Sequence, residues 1–308
     1  MIDMHIHTTY SDGTKTVKEI LKEAQRIGLD YISITDHENC MAYKEIEERN
    51  LKQYYHGTLI PGVEIKVAYK GRIIDILGYG IDTDKIQRWS DNFYKDKTHA
   101  QIQTKYLKSQ YNTFQKVGCT LIPYEEIKWD PDHDWANVII YKEIKSHPEN
   151  ERKCPKDLWE SYSNFRYHHC YSKDSIFYID KSSDVPTIEE GMKQIHDAGG
   201  LAFLAHIYIY DWATNKKALI DDLISNYEFD GIECYYSQFS EKEIKYVLEV
   251  CEKRGLYKSG GCDYHGDNKP GIHLGVGKGN LKIPNQIIEE WCEGFRNVPK
   301  SFLGRRMK

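Results

Sequence analysis

Six short apolar runs in this chain end on histidine, aspartate or glutamate, and that repeated ending constrains the fold more than any other feature. The first run is Ile2-Asp3-Met4-His5-Ile6-His7. His5 and His7 alternate at period two, so both imidazoles leave one face of a strand. Asp12 follows after the turn-prone stretch Tyr10-Ser11-Asp12-Gly13. Tyr31 to Thr35 runs into Asp36-His37, and Glu64 follows Pro61-Gly62-Val63. Asp75 lies in the returning strand Arg72 to Tyr79, and Leu201 to Ala205 ends at His206. The last run leads to Cys262-Asp263-Tyr264-His265. One histidine at a strand end means little, but six such endings form a convergent set of borderline and hard metal ligands. In a (β/α) barrel the C-terminal strand ends meet at one mouth, where chemistry is done.

Helix signals separate these runs. Thr16-Val17-Lys18-Glu19 is a capping box that opens a helix to about Ile27, with Gly28 as its stop. A Glu- and Lys-rich helix follows His37, up to about Tyr54. Lys70-Gly71 reads as the turn of a hairpin between Glu64 and Tyr79. Thr187 to Glu190 and Ser240 to Glu243 are further capping boxes, and a helix is expected near Thr214 to Asn226. The alternation predicts an α/β architecture. It breaks between residues 84 and 186, where a long helix from Asp96 to Val117 precedes polar, Pro-containing segments. That stretch reads as a mainly helical insert. The organisation expected is therefore 1–83, insert 84–186, and 187–308.

Charge and cysteine content narrow the classes of function. With 42 Lys and Arg against 47 Asp and Glu, the chain is mildly acidic, which argues against a surface for duplex nucleic acid. A small nucleotide or a short single strand in a local pocket stays compatible with it. No long apolar run is present, so neither a signal peptide nor a membrane span is expected. Eight cysteines are scattered without a Cys-x-x-Cys pair, which fits reduced thiols in a cytoplasmic protein.

Taken in order, Asp3-x-His5-x-His7-x4-Asp12-Gly13, Thr35-Asp36-His37, Pro61-Gly62-Val63-Glu64, Leu204-Ala205-His206 and Gly261-Cys262-Asp263-Tyr264-His265 resemble the motifs of the PHP (polymerase and histidinol phosphatase) phosphoesterases. Ile76-Leu77-Gly78-Tyr79-Gly80 and the insert resemble the nucleotide-phosphoesterase branch of that family. The resemblance implies a distorted (β/α)7 TIM-like barrel interrupted by a helical insert. It implies two or three divalent ions (Mn, Zn or Fe), and hydrolysis of a phosphate ester by a metal-bound hydroxide. The substrate implied is a small nucleotide, such as a 3′,5′-bisphosphonucleotide, or a short oligonucleotide cut from its 5′ end. Carried over by position, one metal takes His5, His7, Glu64 and Asp263, the last with a catalytic role. A second shares Glu64 and adds Asp75 and His206. A third takes Asp12, His37 and His265. Many relatives have His where this chain has Asp75, and an oxygen ligand there favours a harder ion such as Mn²⁺.

Other polar residues are expected in supporting roles. Arg166 in the insert could clamp a second phosphate, since a guanidinium forks onto phosphate oxygens. His273 could reach substrate and act as general acid on the leaving group. Glu233 reads as a hydrogen-bonding carboxylate of the core, and Asp36 as a group that orients ligand imidazoles. His168-His169 is a pair, but adjacent residues on a regular element are not expected to converge on one metal. Two other functions compete: a histidinol-phosphate phosphatase, and a metal-stabilised scaffold without activity.

Overall fold

The structure is a computed structural model that describes residues 1–292 together with Phe295, Pro299 and Phe302. It divides into two compact units, Met1–Asp91 with Val185–Lys308, and Asn92–Asp184.

The first unit is α/β. Its strands are β1 (Ile2–Ile6), β2 (Tyr31–Ile34), β3 (Thr58–Leu59), β4 (Gly62–Tyr69), β5 (Arg72–Tyr79), β6 (Leu201–Leu204), β7 (Gly231–Tyr236) and β8 (Tyr257–Gly261). They form a three-stranded sheet, β1-β2-β3, and a five-stranded sheet, β4-β5-β6-β7-β8. Single bridges join the two, Ile6 to Tyr264 at one seam and His37 to Glu64 at the other. Among the described residues the strands do not close into a continuous barrel, which departs from the expected (β/α)7 ring. The breaks lie at those two seams, where a single bridge stands in place of a ladder, and the β4–β5 hairpin is a further departure from an all-parallel ring. Lys70 and Gly71, at φ 47° and 71°, make a two-residue turn of the hairpin type in place of a crossover helix. Strand β5 therefore runs antiparallel to both β4 and β6.

The capping boxes form as the sequence predicts. The Thr16 hydroxyl accepts from the Glu19 amide, Glu19 reaches back to the Thr16 amide, and Gly28 ends the helix in the left-handed region at φ 76°. The same reciprocal pairs open helices at Thr187 and Ser240. Helix Val17–Ile27 buries Val17, Ile20, Leu21 and Ala24, an i, i+3, i+4, i+7 stripe. These side chains join Ile6, Ile32, Ile34 and Ile65 in the main core. Each such aliphatic contributes about 1.5–3 kcal/mol on full burial. Strand β8 reaches β1 because Gly261 has no side chain: a Cβ there would stand 2.4 Å from both the Cβ and the backbone nitrogen of His5.

The second unit has its own core, built from Leu107, Phe114, Ile140, Ile144, Leu158 and Phe165 on several helices. The expected long helix is present as His99–Lys116, three residues shorter at its start because Thr98 caps it. Phe165–Cys170 is a π-helical turn. There the His168 and His169 rings lie 3.3 Å and 3.1 Å from Asp157 Oδ2, and among the described residues neither joins a candidate metal group. Among the described residues no helix is long and apolar enough to cross a membrane.

Candidate metal centre

All nine residues expected as ligands lie in the first unit, and the structure brings them together in overlapping groups: His5, His7 and Glu64; His5, His206 and Asp263; His37, Glu64 and Asp75; and His7, Asp12, His37 and His265. Strand geometry explains the convergence. His5 and His7 leave one face of β1, His37 lies just past β2, Glu64 faces them from the start of β4, and His206, Asp263 and His265 follow β6 and β8.

Glu64 is the hub. His5 Nε2, His7 Nε2 and His37 Nδ1 stand 3.2, 3.1 and 3.2 Å from its Oε2, and His206 Nε2 stands 2.8 Å from its Oε1. Asp263 Oδ1 faces the same rings, 3.3 Å from His7 Nε2 and 3.2 Å from His265 Nδ1. Asp12 lies 3.1 Å from His265 Nε2 and 3.6 Å from His37 Nε2. Despite these distances, His5 Nε2, His7 Nε2, His37 Nδ1, His206 Nδ1 and Asp75 Oδ1 are buried without a hydrogen-bond partner among the described residues. Buried polar atoms are rarely left so. Atoms about 3–3.5 Å apart that aim at a shared centre are spaced as ligands roughly 2.1 Å from a cation would be. The donor set, mixed imidazole and carboxylate, fits divalent ions.

The surrounding hydrogen bonds choose which nitrogen faces the centre. A carboxylate only accepts, so His5 Nδ1 donates to Glu233 Oε1 at 2.9 Å, which leaves Nε2 as the ligand atom. Glu233 Oε2 also accepts from the His206 amide at 2.8 Å, where the backbone sits at φ 21°. Ser11 Oγ donates to Asp36 at 2.6 Å and accepts from His7 Nδ1 at 3.3 Å, so Asp36 reaches its imidazole through a hydroxyl. Asp36 also fixes the Thr8 amide and hydroxyl, each at 2.7 Å. Asp3 is a tie between segments: it accepts from the amides of Cys262 and Gly275 at 2.9 and 2.7 Å.

Electrostatics follow from burial and proximity. Burial disfavours a charged His7, yet the facing Asp263 and Glu64 carboxylates outweigh it and lift its pKa to about 9. Burial opposes ionisation of Glu64 and Asp263, but the facing His5 and its neighbours hold both well below the usual carboxylate range. Burial leads at Asp75 and pushes it up, reinforced by the Glu64 charge. Burial also dominates at His37, which is driven well below the usual imidazole range.

Several site residues carried no readable signal. Tyr236 donates to Asp263 Oδ2 at 2.8 Å, and Lys269 pairs with the same oxygen. Asp263 itself adopts φ 56°. Tyr210 donates to Asp75 at 3.3 Å. The tyrosines sit where alternation alone cannot separate a core ring from a site ring, and Lys269 is in a loop. His273 is exposed on the loop after β8, and among the described residues no hydrogen bond or ion pair joins its ring to the cluster. Arg166 lies in the second unit, where its Nε donates to the Tyr171 hydroxyl at 3.2 Å and its guanidinium faces the Tyr167 and Tyr171 rings.

Comparison with known proteins agrees with this chemistry. The model of the PHP domain matches residues 3–147. The chain is 26% identical over 294 residues to a 5′-3′ exoribonuclease of Haemophilus influenzae, spanning 94% of this chain and 97% of that one. It is 21% identical over 279 residues to a 3′,5′-nucleoside bisphosphate phosphatase of Chromobacterium violaceum, spanning 89% and 90%. A solved structure from Bifidobacterium adolescentis, described as a candidate metal-dependent phosphoesterase, aligns with a TM-score of 0.61 at 20% identity over 94% of each chain, a likeness of fold.

Proposed function

We propose, from the premise that this chain carries a PHP domain, that it is a metal-dependent hydrolase of phosphoester bonds acting on a small nucleotide or a short oligonucleotide. The observation that carries the reading is the buried Glu64 carboxylate faced by four imidazoles, several of whose nitrogens have no hydrogen-bond partner. His5, His7, Glu64 and Asp263 would hold one ion, Glu64, Asp75 and His206 a second, and Asp12, His37 and His265 a third. The two single-bridge seams support a distorted barrel of the PHP type as the frame.

Divalent ions, when bound, supply Lewis acidity that lowers the pKa of a water and draws charge from phosphate oxygens. The chain's own part is to assemble and orient that charge. Glu233 fixes the His5 tautomer, Ser11 and Asp36 fix His7, and Tyr236 with Lys269 fixes Asp263. Burial of Glu64 and Asp263 excludes water from their oxygens, so their field acts at low dielectric. The general-acid role expected of His273 draws no support from the geometry, since its ring is exposed and no contact among the described residues brings it to the cluster.

The test is phosphate release from a 3′,5′-bisphosphonucleotide, a short RNA and histidinol phosphate, with Mn²⁺ or Zn²⁺ supplied. Turnover of a nucleotide substrate, abolished by chelation and by His7→Ala, is expected. Preference for histidinol phosphate would move the chain to the competing phosphatase function. Turnover untouched by both treatments would sink the metal reading, and bound metal without turnover of any substrate would favour the scaffold.

A further inference from the structure

The hairpin β4–β5 carries a cation that the ligand set does not use. Lys66 lies two residues after Glu64 on β4, so both side chains leave the same sheet face. Its cross-strand neighbour is Asp75. On that face Lys66 is therefore flanked by two of the carboxylates assigned to metal. A cation so close to a cation-binding cluster needs a reason, because it lowers the field that attracts the ions.

A structural ion pair does not supply one. The nearest carboxylate, Glu38 Oε2, is 4.0 Å from Lys66 Nζ, the outer limit of such a pair. Among the described residues no hydrogen bond engages that ammonium, whose three protons ordinarily seek acceptors. Glu38 binds the backbone instead, accepting from the Lys66 amide at 2.7 Å. Glu38 is itself pinned: its amide donates to the Glu64 carbonyl at 2.8 Å, its carbonyl accepts from Ser90 at 2.6 Å, and its φ is 47°. The strand under Lys66 is thus fixed while its head group makes only the long contact with Glu38 and stays 37% exposed. The other cation at the site, Lys269, is already paired with Asp263.

We propose that Lys66 is a substrate-binding residue whose ammonium takes a phosphate oxygen of the bound phosphoester beside the ligand cluster. The assignment rests on the phosphoesterase reading and deepens it. An anion seated between the ions and Lys66 is drawn from both sides, which accounts for a cation on an acidic face. A compact ammonium suits one oxygen rather than the two-pronged grip of a guanidinium.

The test uses full-length, metal-loaded protein and inorganic phosphate as the probe. Calorimetry of phosphate binding and metal counting are run on wild type, Lys66→Met and Lys66→Arg. Lys66→Met is expected to weaken phosphate binding about 10–100-fold, as loss of a charged hydrogen bond does. Metal stoichiometry should match wild type, and Lys66→Arg should recover part of the affinity. Phosphate affinity within twofold of wild type in Lys66→Met overturns the assignment alone. So does an extra metal equivalent in Lys66→Met, which would make Lys66 a charge that excludes an ion. Wild type that takes up metal but neither binds phosphate nor cleaves any phosphoester overturns the phosphoesterase reading, and this assignment with it.

Discussion

Glu233 shows how a residue that is not a ligand can govern one. It takes the Nδ1 proton of His5 and the amide of His206, so one carboxylate orients ligands from both sides of the insert in sequence. Glu233→Gln should therefore lower metal affinity about 10–100-fold, measured by competition with a chromogenic chelator, while the fold is retained. A second expectation concerns protons. Folded-state pKa values above the ordinary imidazole value of about 6.5 mark groups whose stabilising charge is present below that pH. His7, near 9, and His5 and His206, also raised, lose that contribution as pH rises through their folded values. His37, depressed, works against folding as pH falls below about 6.5. The metal-free protein should thus melt at progressively lower temperature from about pH 6.5 to 9, and the same rise in pH should tighten metal binding with release of protons. Calorimetry in buffers of different ionisation enthalpy reads the released protons; proton-neutral binding at pH 7 would contradict it. Most of the candidate ligands were legible because they follow the apolar run of a strand, as His7, His37, His206, Asp263 and His265 do; Asp75, inside β5, was legible only through the family resemblance. Lys66 was overlooked although period two places it beside Glu64, because a lysine in a strand ordinarily reads as solvated.

At the scale of elements, capping boxes and hairpin were readable because their determinants are local. The division of the strands into two sheets joined by single bridges was not, since it depends on pairing between residues far apart in sequence. The hairpin turn at Lys70-Gly71 was visible, but its consequence, a β5 strand opposed to both neighbours, emerges only from the ladder. Gly261 was marked only as the first residue of a family-like motif, and its physical role, a missing Cβ that admits β8 beside His5, shows only in the structure. Gly261→Ala should push β8 off β1. The expected cost is about 1–3 kcal/mol of stability, as for overpacking, with loss of metal out of proportion to the loss of secondary structure. Circular dichroism together with metal counting checks it; full metal content in a folded variant would show that β1 can yield.

The nine candidate ligands lie in one unit, and the other has a separate apolar core. Phe114→Ala, in that second core, should cost about 3–5 kcal/mol by denaturant unfolding and leave metal stoichiometry unchanged. Altered stoichiometry would show that the two units are energetically joined at the metal centre. The division also sets an order of events during synthesis. Asp75 and His206 are 131 residues apart (206 − 75). At roughly 5–20 residues per second, a ribosome exposes the six N-terminal ligands about 7–26 s before His206 leaves it. Asp263 and His265 come later still. If these residues hold metal as proposed, the nascent chain would display an incomplete chelator for that interval, and the selectivity of the centre would be decided only once Asp263 and His265 have joined it.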